Sequence, residues 1–595
     1  MEEFDLLIKD ATIVDGTGKP ACKGSIGIKE DKVVAVGAVT GDAKETVDAS
    51  RLTAIPGFVD SHSHADRDLL FFPKCDNYVL QGVTTFVGGQ CGNTLAPIRD
   101  AVPVRGMLIT EYLHEIMPYK YYIQDRVPIP LEKINPLMEK YFGWTVDWRS
   151  MAEYLKKVEN VGISCNFAPL VGHGTCRSVV LGEDFKRPST KSEVEEIKTL
   201  IREGMNDGCI GMSVGLDYDP GVFADRKELT ECVSVLKEYN GIFCPHSRRT
   251  GRRRDMVMGH RMPDKTDAIR EVLDICRAVG VRMNVAHLFT GWYITPQGGP
   301  HILEEANRRA TLMVIDEALK EGLDISFDVI PSALPTKFGG SSYLCSLFEP
   351  WLRELGSREE FAKWLKVREF RDEIKDAIYK GKWYIREGYN PNTNPRWAEN
   401  ITILKHRNSA CENKSIAKIA LERGRDPFET WFDLIVEDPD SKCGIGAGED
   451  PEAPYHAIFY QHPVGTVGLD ISVTDYKHEQ KIPPWSVPGI STFSAYVGFF
   501  DKFVKRQKAL TLEEAVYKTS SFVAKRHNLK GRGTIEAGSY ADIILMDYEN
   551  LKVMGTPLEP RIQPKGIEYV FVNGAAVVRN AKHTGATPGR VLRRE

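Results

Sequence analysis

Two histidines separated by a single serine, in Asp60-Ser61-His62-Ser63-His64, directly follow the apolar run Leu52-Thr53-Ala54-Ile55-Pro56-Gly57-Phe58-Val59. In an extended chain, residues two apart project to the same side. Both imidazoles therefore converge on one point just past a strand end. Neutral imidazole nitrogen is a good ligand for a zinc-type cation, so the chemistry on offer is metal binding. The alternative is a pair of surface histidines in a turn. The ends of the other strands decide between the two.

Residues 1–50 alternate in a β manner, with turn residues between short runs such as Leu6-Leu7-Ile8 and Val33-Val34-Ala35-Val36. Residues 540–546 and 567–574 have the same texture. The two termini are expected to pair into one small β-sandwich, built from residues 1–52 and 530–595. Between them, short apolar strands alternate with amphipathic helical stretches, which signals βα units and a parallel sheet. Eight strands are expected, at 53–62, 84–91, 163–171, 208–215, 242–247, 282–288, 324–330 and 466–470. Helices are expected at Ser192–Asn206, with Thr190 as its cap, and at Glu228–Tyr239. Eight strands imply an α/β fold of the (β/α)8 TIM-barrel type over residues 53–529, with the active site at the C-terminal strand ends. Residues 95–150 and 335–460 are too long for ordinary loops and read as insertions that shape the barrel mouth.

A barrel should gather polar residues at those strand ends, and this chain does. Strand one ends in His62 and His64, strand two in Cys91, strand five in His246, strand six in His287 and strand eight in Asp470. One histidine after a strand is ordinarily structural. Four histidines, a cysteine and an aspartate at matching places argue for a shared ion. For Asp470 a helix cap is the alternative reading.

The segment Pro56-Gly57-Phe58-Val59-Asp60-Ser61-His62-Ser63-His64 resembles the opening signature of the amidohydrolase superfamily. Gly89-Gln90-Cys91-Gly92-Asn93 is similar to the Gly-Asn-Cys-Gly segment of its D-aminoacylase (N-acyl-D-amino-acid deacylase) branch. Gly172-His173-Gly174, Gly211–Tyr218, His246-Ser247-Arg248, Arg532-Gly533-Thr534-Ile535 and Ala541-Asp542 continue the resemblance in order along almost the whole chain. In that branch a cysteine takes the bridging place that a carboxylated lysine fills in hydantoinases, and 208–215 contains no lysine. The resemblance implies that Cys91, His246 and His287 hold one zinc ion. His62, His64 and Cys91 would hold a second, so one or two ions are expected. Asp470 would be the general base, taking a proton from water and passing it to the leaving amine.

Substrate contacts are expected from His173, Tyr218, Arg248 and Phe289. Arg248 matches the family's His-x-Arg and suits a carboxylate. Phe289 stands where the deacylases carry a carboxylate-binding lysine, and Ile330 stands where they carry a tyrosine. A buried carboxylate needs a paired cation, so these replacements point toward a substrate without one. Arg249, Arg252, Arg253 and Arg254 read as a solvated loop or a contact between copies in a homo-oligomer.

The 595 residues carry a net charge of −4, with 42% hydrophobic and 27% charged residues. That balance fits a soluble globular protein without a nucleic-acid footprint. No apolar run reaches a membrane-spanning length, and the acidic start does not resemble a signal peptide. A cytoplasmic location is therefore expected, and the twelve cysteines, which contain no CxxC pair, are expected to stay reduced there. The expected activity is zinc-dependent hydrolysis of a non-peptide C–N bond in a small-molecule amide, foremost an N-acyl amino acid. A cyclic-amide hydrolase or a deaminase on the same scaffold is the alternative. A non-catalytic scaffold relative is disfavoured, because every implied ligand position is filled.

Overall fold

The computed structural model describes residues 2–103, 107–116, 128–217, 219–248, 265–288, 301–331, 338–380, 390–392, 395–445, 452–483 and 485–594. Its centre is an eight-stranded parallel sheet. The strands are β1 (Phe58–Asp60), β2 (Val83–Gly88), β3 (Asn166–Gly172), β4 (Gly211–Gly215), β5 (Ile242–His246), β6 (Arg282–Val285), β7 (Ile325–Val329) and β8 (Gly465–Val467), each hydrogen-bonded to the next. Ser61 Oγ donates to the Val467 carbonyl at 2.8 Å, and the Asp470 N–H donates to the His62 carbonyl at 2.8 Å. These bonds span the seam between β8 and β1 and draw the sheet into a nearly closed barrel. Seven of the eight strands are buried at every position, and in β6 Arg282 alone is half-buried. Such continuous burial is what makes parallel strands read as unbroken apolar runs.

Several of the connecting helices start at a side-chain cap. Lys191–Asn206 begins at Thr190, whose hydroxyl accepts from the Glu193 N–H while the Glu193 carboxylate accepts from the Thr190 N–H. The stretch expected as one helix over 228–239 is an α-helix, Arg226–Ser234, followed by a 3-10 turn, Val235–Tyr239.

All eight expected barrel strands are present, but the first is divided. Thr53–Pro56 pairs with Ile543–Met546 in the terminal sheet, and only Phe58–Asp60 enters the barrel. The break is at Gly57, whose N–H donates to the Asp542 carbonyl at 2.8 Å. A Cβ there would lie 2.1 Å from Thr84 Oγ1, so the two sheets meet closely only because Gly57 has no side chain. The terminal sheet has nine strands drawn from both chain ends. Its long first strand, Glu2–Ile13, pairs with Gly41–Asp48 through its first half and with Thr53–Pro56 through its second. Asp10, at φ +60°, marks the irregularity between the halves.

Ala101–Pro103 pairs antiparallel with Pro128–Pro130, and the helix Leu131–Phe142 sends Ile134 and Met138 into the main core. The same insertion carries an aromatic run, Pro118-Tyr119-Lys120-Tyr121-Tyr122, which lies outside the described residues. Residues 342–445 form a three-stranded sheet with helices around a core of their own, which includes Phe348, Phe361, Trp431 and Phe432. Among the described residues no helix is long and apolar enough to cross a membrane.

Candidate metal centre

The C-terminal ends of β1, β2, β5, β6 and β8 bring six side chains together. Cys91 Sγ lies 3.4 Å from His62 Nε2, 3.2 Å from His246 Nδ1 and 3.6 Å from His287 Nε2. Asp470 Oδ1 lies 3.0 Å from His64 Nε2 and 3.6 Å from His62 Nε2. Two donor sets share the thiol: Cys91 with His246 and His287, and Cys91 with His62, His64 and Asp470. Within each set the donor atoms lie within 4.8 Å of one another. Zinc–sulfur and zinc–nitrogen bonds of about 2.3 and 2.05 Å in tetrahedral geometry place sulfur and nitrogen about 3.5 Å apart. The sulfur–nitrogen distances here match that edge, so the residues fit a zinc-type ion. Asp470 is thereby a candidate ligand as well as a candidate base.

The backbone presents these groups at a cost. Cys91, His287 and Asp470 have φ of +55°, +34° and +55°, and such left-handed non-glycine residues persist only where their surroundings over-determine them. The turn that carries Cys91 shows how. Gly92 has φ +73°, and a Cβ on it would lie 2.7 Å from the Gly215 N. Its N–H donates to Ser213 Oγ at 2.9 Å, and that hydroxyl donates to the Gly89 carbonyl. β4 thus holds the turn of β2 from below.

Charge couples the groups of the cluster: burial alone would lower His62 and His287, but Asp328 and Cys91 raise the first and Cys91 raises the second. Burial pushes the Cys91 thiol up, but His246 and His62 outweigh it and hold it well below the ordinary thiol range. Burial likewise disfavours the Asp470 carboxylate, and His64, His62 and His287 overcome it, keeping Asp470 below the usual range. Burial holds His246 low, in the neutral form that binds metal. His64 and Asp470 side chains are 13% and 23% exposed, whereas that of His62 is fully buried. The cluster therefore opens on the β1–β8 side. A cavity of about 410 Å³ lies along this edge, with Ile471, Ser472, Asp68 and Phe493 in its wall. Ser472 Oγ donates to Asp68 Oδ2 at 2.7 Å and contacts the His64 carbonyl at 3.1 Å.

Two supporting carboxylates were not singled out by sequence reasoning. Asp328, in β7, accepts from the His287 N–H at 2.8 Å and from Asn284 at 2.7 Å, and it lies 3.5 Å from His62 Nδ1. Asp60 accepts from the His62 and Leu469 N–H groups, and burial pushes its carboxyl up to about 8. Asp328 belongs to the same strand-end pattern as the ligands, and its place two residues before Ile330 was the available signal.

The expected substrate residues divide. Tyr218 and Phe289 lie outside the described residues. Arg248 donates through Nε and Nη2 to Glu271, and to the carbonyls of Val222 and Ala224. Its guanidinium is committed within the protein. His173 is fully buried at the end of β3, where its Nε2 lies 3.1 Å from Glu228 Oε1, the oxygen that also accepts from Arg177 Nε at 2.9 Å. Burial pushes the Glu228 carboxylate up, but His173 and Arg177 outweigh it and bring it to about 2 from the ordinary 4.5. Its stabilising contribution is therefore complete above pH 4.5 and disappears as pH falls through about 2. Glu228→Gln leaves the buried Arg177 without its charge partner and is expected to cost about 3–5 kcal/mol. A urea-denaturation midpoint unchanged by this substitution would contradict that role.

No protein-family model matches the chain. Among curated proteins, a D-aminoacylase of Alcaligenes xylosoxydans xylosoxydans is 26% identical over 596 residues, covering 100% of this chain and 98% of the relative. An N-acyl-D-glutamate deacylase of the same organism is also 26% identical, covering 100% and 97%. Among solved structures, an N-acyl-D-glutamate deacylase from Bordetella bronchiseptica, in complex with zinc and a phosphonate mimic of the tetrahedral intermediate, superposes with TM-score 0.67. It is 23% identical and fully covered on both sides. A D-aminoacylase described as defining a subset of amidohydrolases superposes with TM-score 0.66 at 23% identity, covering 99% of this chain and 100% of that one. Along its whole length the chain is similar in sequence to a D-aminoacylase and an N-acyl-D-glutamate deacylase, and it shares the fold of the solved members of that group.

Proposed function

We propose that the chain is a zinc-dependent hydrolase of a non-peptide C–N bond, acting on an N-acyl amino acid or a related small amide. The observation that carries this reading is Cys91 Sγ within 3.2–3.6 Å of three imidazole nitrogens, beside a carboxylate on the open side of the cluster. Cys91, His246 and His287 would hold one ion, and His62, His64 and Cys91, with Asp470, would hold a second; the chemistry supplied there would be activation of a water and polarisation of the scissile carbonyl.

The protein's own groups do the rest. Asp470 takes a proton at its carboxylate and returns it to the departing amine. Its 23% exposed side chain, beside His64, meets substrate from the β1–β8 side. Asp328 holds the His287 backbone and faces His62 Nδ1, which fixes both ligands before an ion arrives. His173 braces β3 through Glu228. Arg248 is spent on Glu271, so a substrate carboxylate is not met by that side chain. The full-length likeness to deacylases supports the amide over the cyclic-amide or deaminase reading, as does the absence of lysine from β4. The near-neutral charge balance supports a small molecule rather than nucleic acid as partner. We place the enzyme in the cytoplasm, where its cysteines stay reduced, and a homo-oligomer is compatible with this reading.

Removal of metal with a chelator should abolish hydrolysis of an N-acyl amino-acid panel, and added zinc should restore it. Free carboxylate plus free amine is the expected product pair. A ring-opened acid or free ammonia would favour the second reading, and hydrolysis indifferent to chelation would overturn the metal-dependent one.

A further inference from the structure

A cavity of about 200 Å³ lies at the opposite pole of the barrel, where Ile210 precedes β4. Its wall includes Lys530, Arg532, Arg590, Arg593 and Tyr540, together with Asn528. No carboxylate side chain lines it among the described residues. Like charges gathered around an empty space repel one another, so the fold must hold them there. It does so from behind. Arg532, only 3% exposed in its side chain, pairs with Asp542 and donates to Asn573 at 2.9 Å. Arg590 pairs through Nη1 with Asp31 at 2.6 Å. Arg593 pairs with Glu159 at 2.7 Å and donates to the Asp207 carbonyl at 2.9 Å. The Tyr540 ring lies under Lys32 Nζ at 3.1 Å and Arg532 at 4.1 Å.

An arginine carries five N–H donors in a fixed fork. The single pairing nitrogen of Arg590 leaves further donors on that fork. Ion pairs on the outer side pre-orient the guanidinium groups, which is how planar oxyanions are recognised with little loss of side-chain freedom. We propose that this cavity is a binding site for a compact oxyanion of the phosphate class, either inorganic phosphate or the phosphoryl group of a small metabolite. Its walls come from four parts of the chain: Ile210 before β4, the loop at 528–532, the entry to the terminal sheet at Tyr540, and the segment at 590–593. That segment is laid along β3 by the Leu592 N–H bond to the Phe167 carbonyl at 2.7 Å. An anion that accepts from the guanidinium N–H groups left over by these ion pairs bridges the loop at 528–532 and the segment at 590–593, and so tightens that segment on the barrel at the pole opposite the candidate metal centre.

The test uses the zinc-loaded protein with inorganic phosphate and pyrophosphate as probes, and chloride at equal ionic strength as reference. Calorimetric titration is expected to show saturable binding of at least one probe. Lys530→Gln with Arg590→Gln should weaken it at least tenfold and leave amide hydrolysis unchanged, while Cys91→Ala should retain it. The exposed single variant Lys530→Gln, expected to weaken binding severalfold, carries the test if the double variant fails to fold. Bound probe should also slow amide hydrogen exchange over 590–593. Binding that survives the Lys530 and Arg590 substitutions, binding lost with Cys91→Ala, or effects that chloride reproduces would each overturn the proposal. A phosphorylated metabolite that competes with inorganic phosphate would identify the phosphoryl source, and phosphate binding without such competition would identify the free ion.

Discussion

Cys91→Ala is expected to remove zinc from the Cys91–His246–His287 set and to lower amide hydrolysis about 10³-fold or more. The thiol belongs to both donor sets; its loss leaves two imidazoles on the His246 side, one short of the three protein ligands a catalytic zinc ordinarily has, and strips one of four donors from the His62 side. The Lewis-acid contribution of such an ion is several kcal/mol, and each 1.4 kcal/mol or so is tenfold in rate; about 4 kcal/mol gives the stated loss. Cys91→Ser is the graded control, because a hydroxyl is a poorer zinc ligand than a thiolate but fits the same left-handed turn. Metal content by mass spectrometry should fall with alanine before any change in circular dichroism. Full zinc content and full activity in Cys91→Ala would remove the thiol from the mechanism.

His246→Ala differs in an informative way. It strips only the Cys91–His246–His287 set and leaves the other set whole. Comparing it with His64→Ala assigns activity to one half of the centre, since a half whose loss leaves turnover intact is not the catalytic one.

The barrel and the cluster of side chains at its rim are legible in the sequence because both depend on local pattern. Buried parallel strands leave unbroken apolar runs, and the residues that end them fall at the C-terminal rim whatever the helices between them do. His62, Cys91, His246, His287 and Asp470 were therefore placed by strand position alone. What escaped reading depends on partners far apart in sequence. Nothing near Gly57 in the chain announces Thr84, which splits the first strand between two sheets. Arg248 suits a carboxylate, and it has one, but the carboxylate is Glu271 of the protein itself. His173 looks like a pocket residue until Glu228 and Arg177 are seen beside it. A polar residue at a strand end thus signals the rim of the barrel, and only its partner tells whether it faces substrate or braces the wall.

Asp470→Asn is expected to lower kcat by about 10²–10⁴-fold, the range for loss of a general acid–base group, with a smaller change in KM. Asparagine keeps the size of the side chain and tolerates the left-handed backbone at φ +55°, so the substitution removes proton-accepting capacity with little strain. The Asp470 N–H still donates to the His62 carbonyl, so the β8–β1 seam is preserved. Because Asp470 groups with His62, His64 and Cys91, metal content should fall by at most one ion, and the set of Cys91, His246 and His287 should stay filled. This separates the two roles of the carboxylate. A variant that keeps the His246-side ion yet loses turnover assigns Asp470 to proton transfer. A variant whose kcat recovers fully when excess zinc is supplied assigns it to ligation alone. Unchanged turnover and unchanged metal content would leave Asp470 as a residue that merely closes the barrel, and the hydrolytic mechanism would need another base.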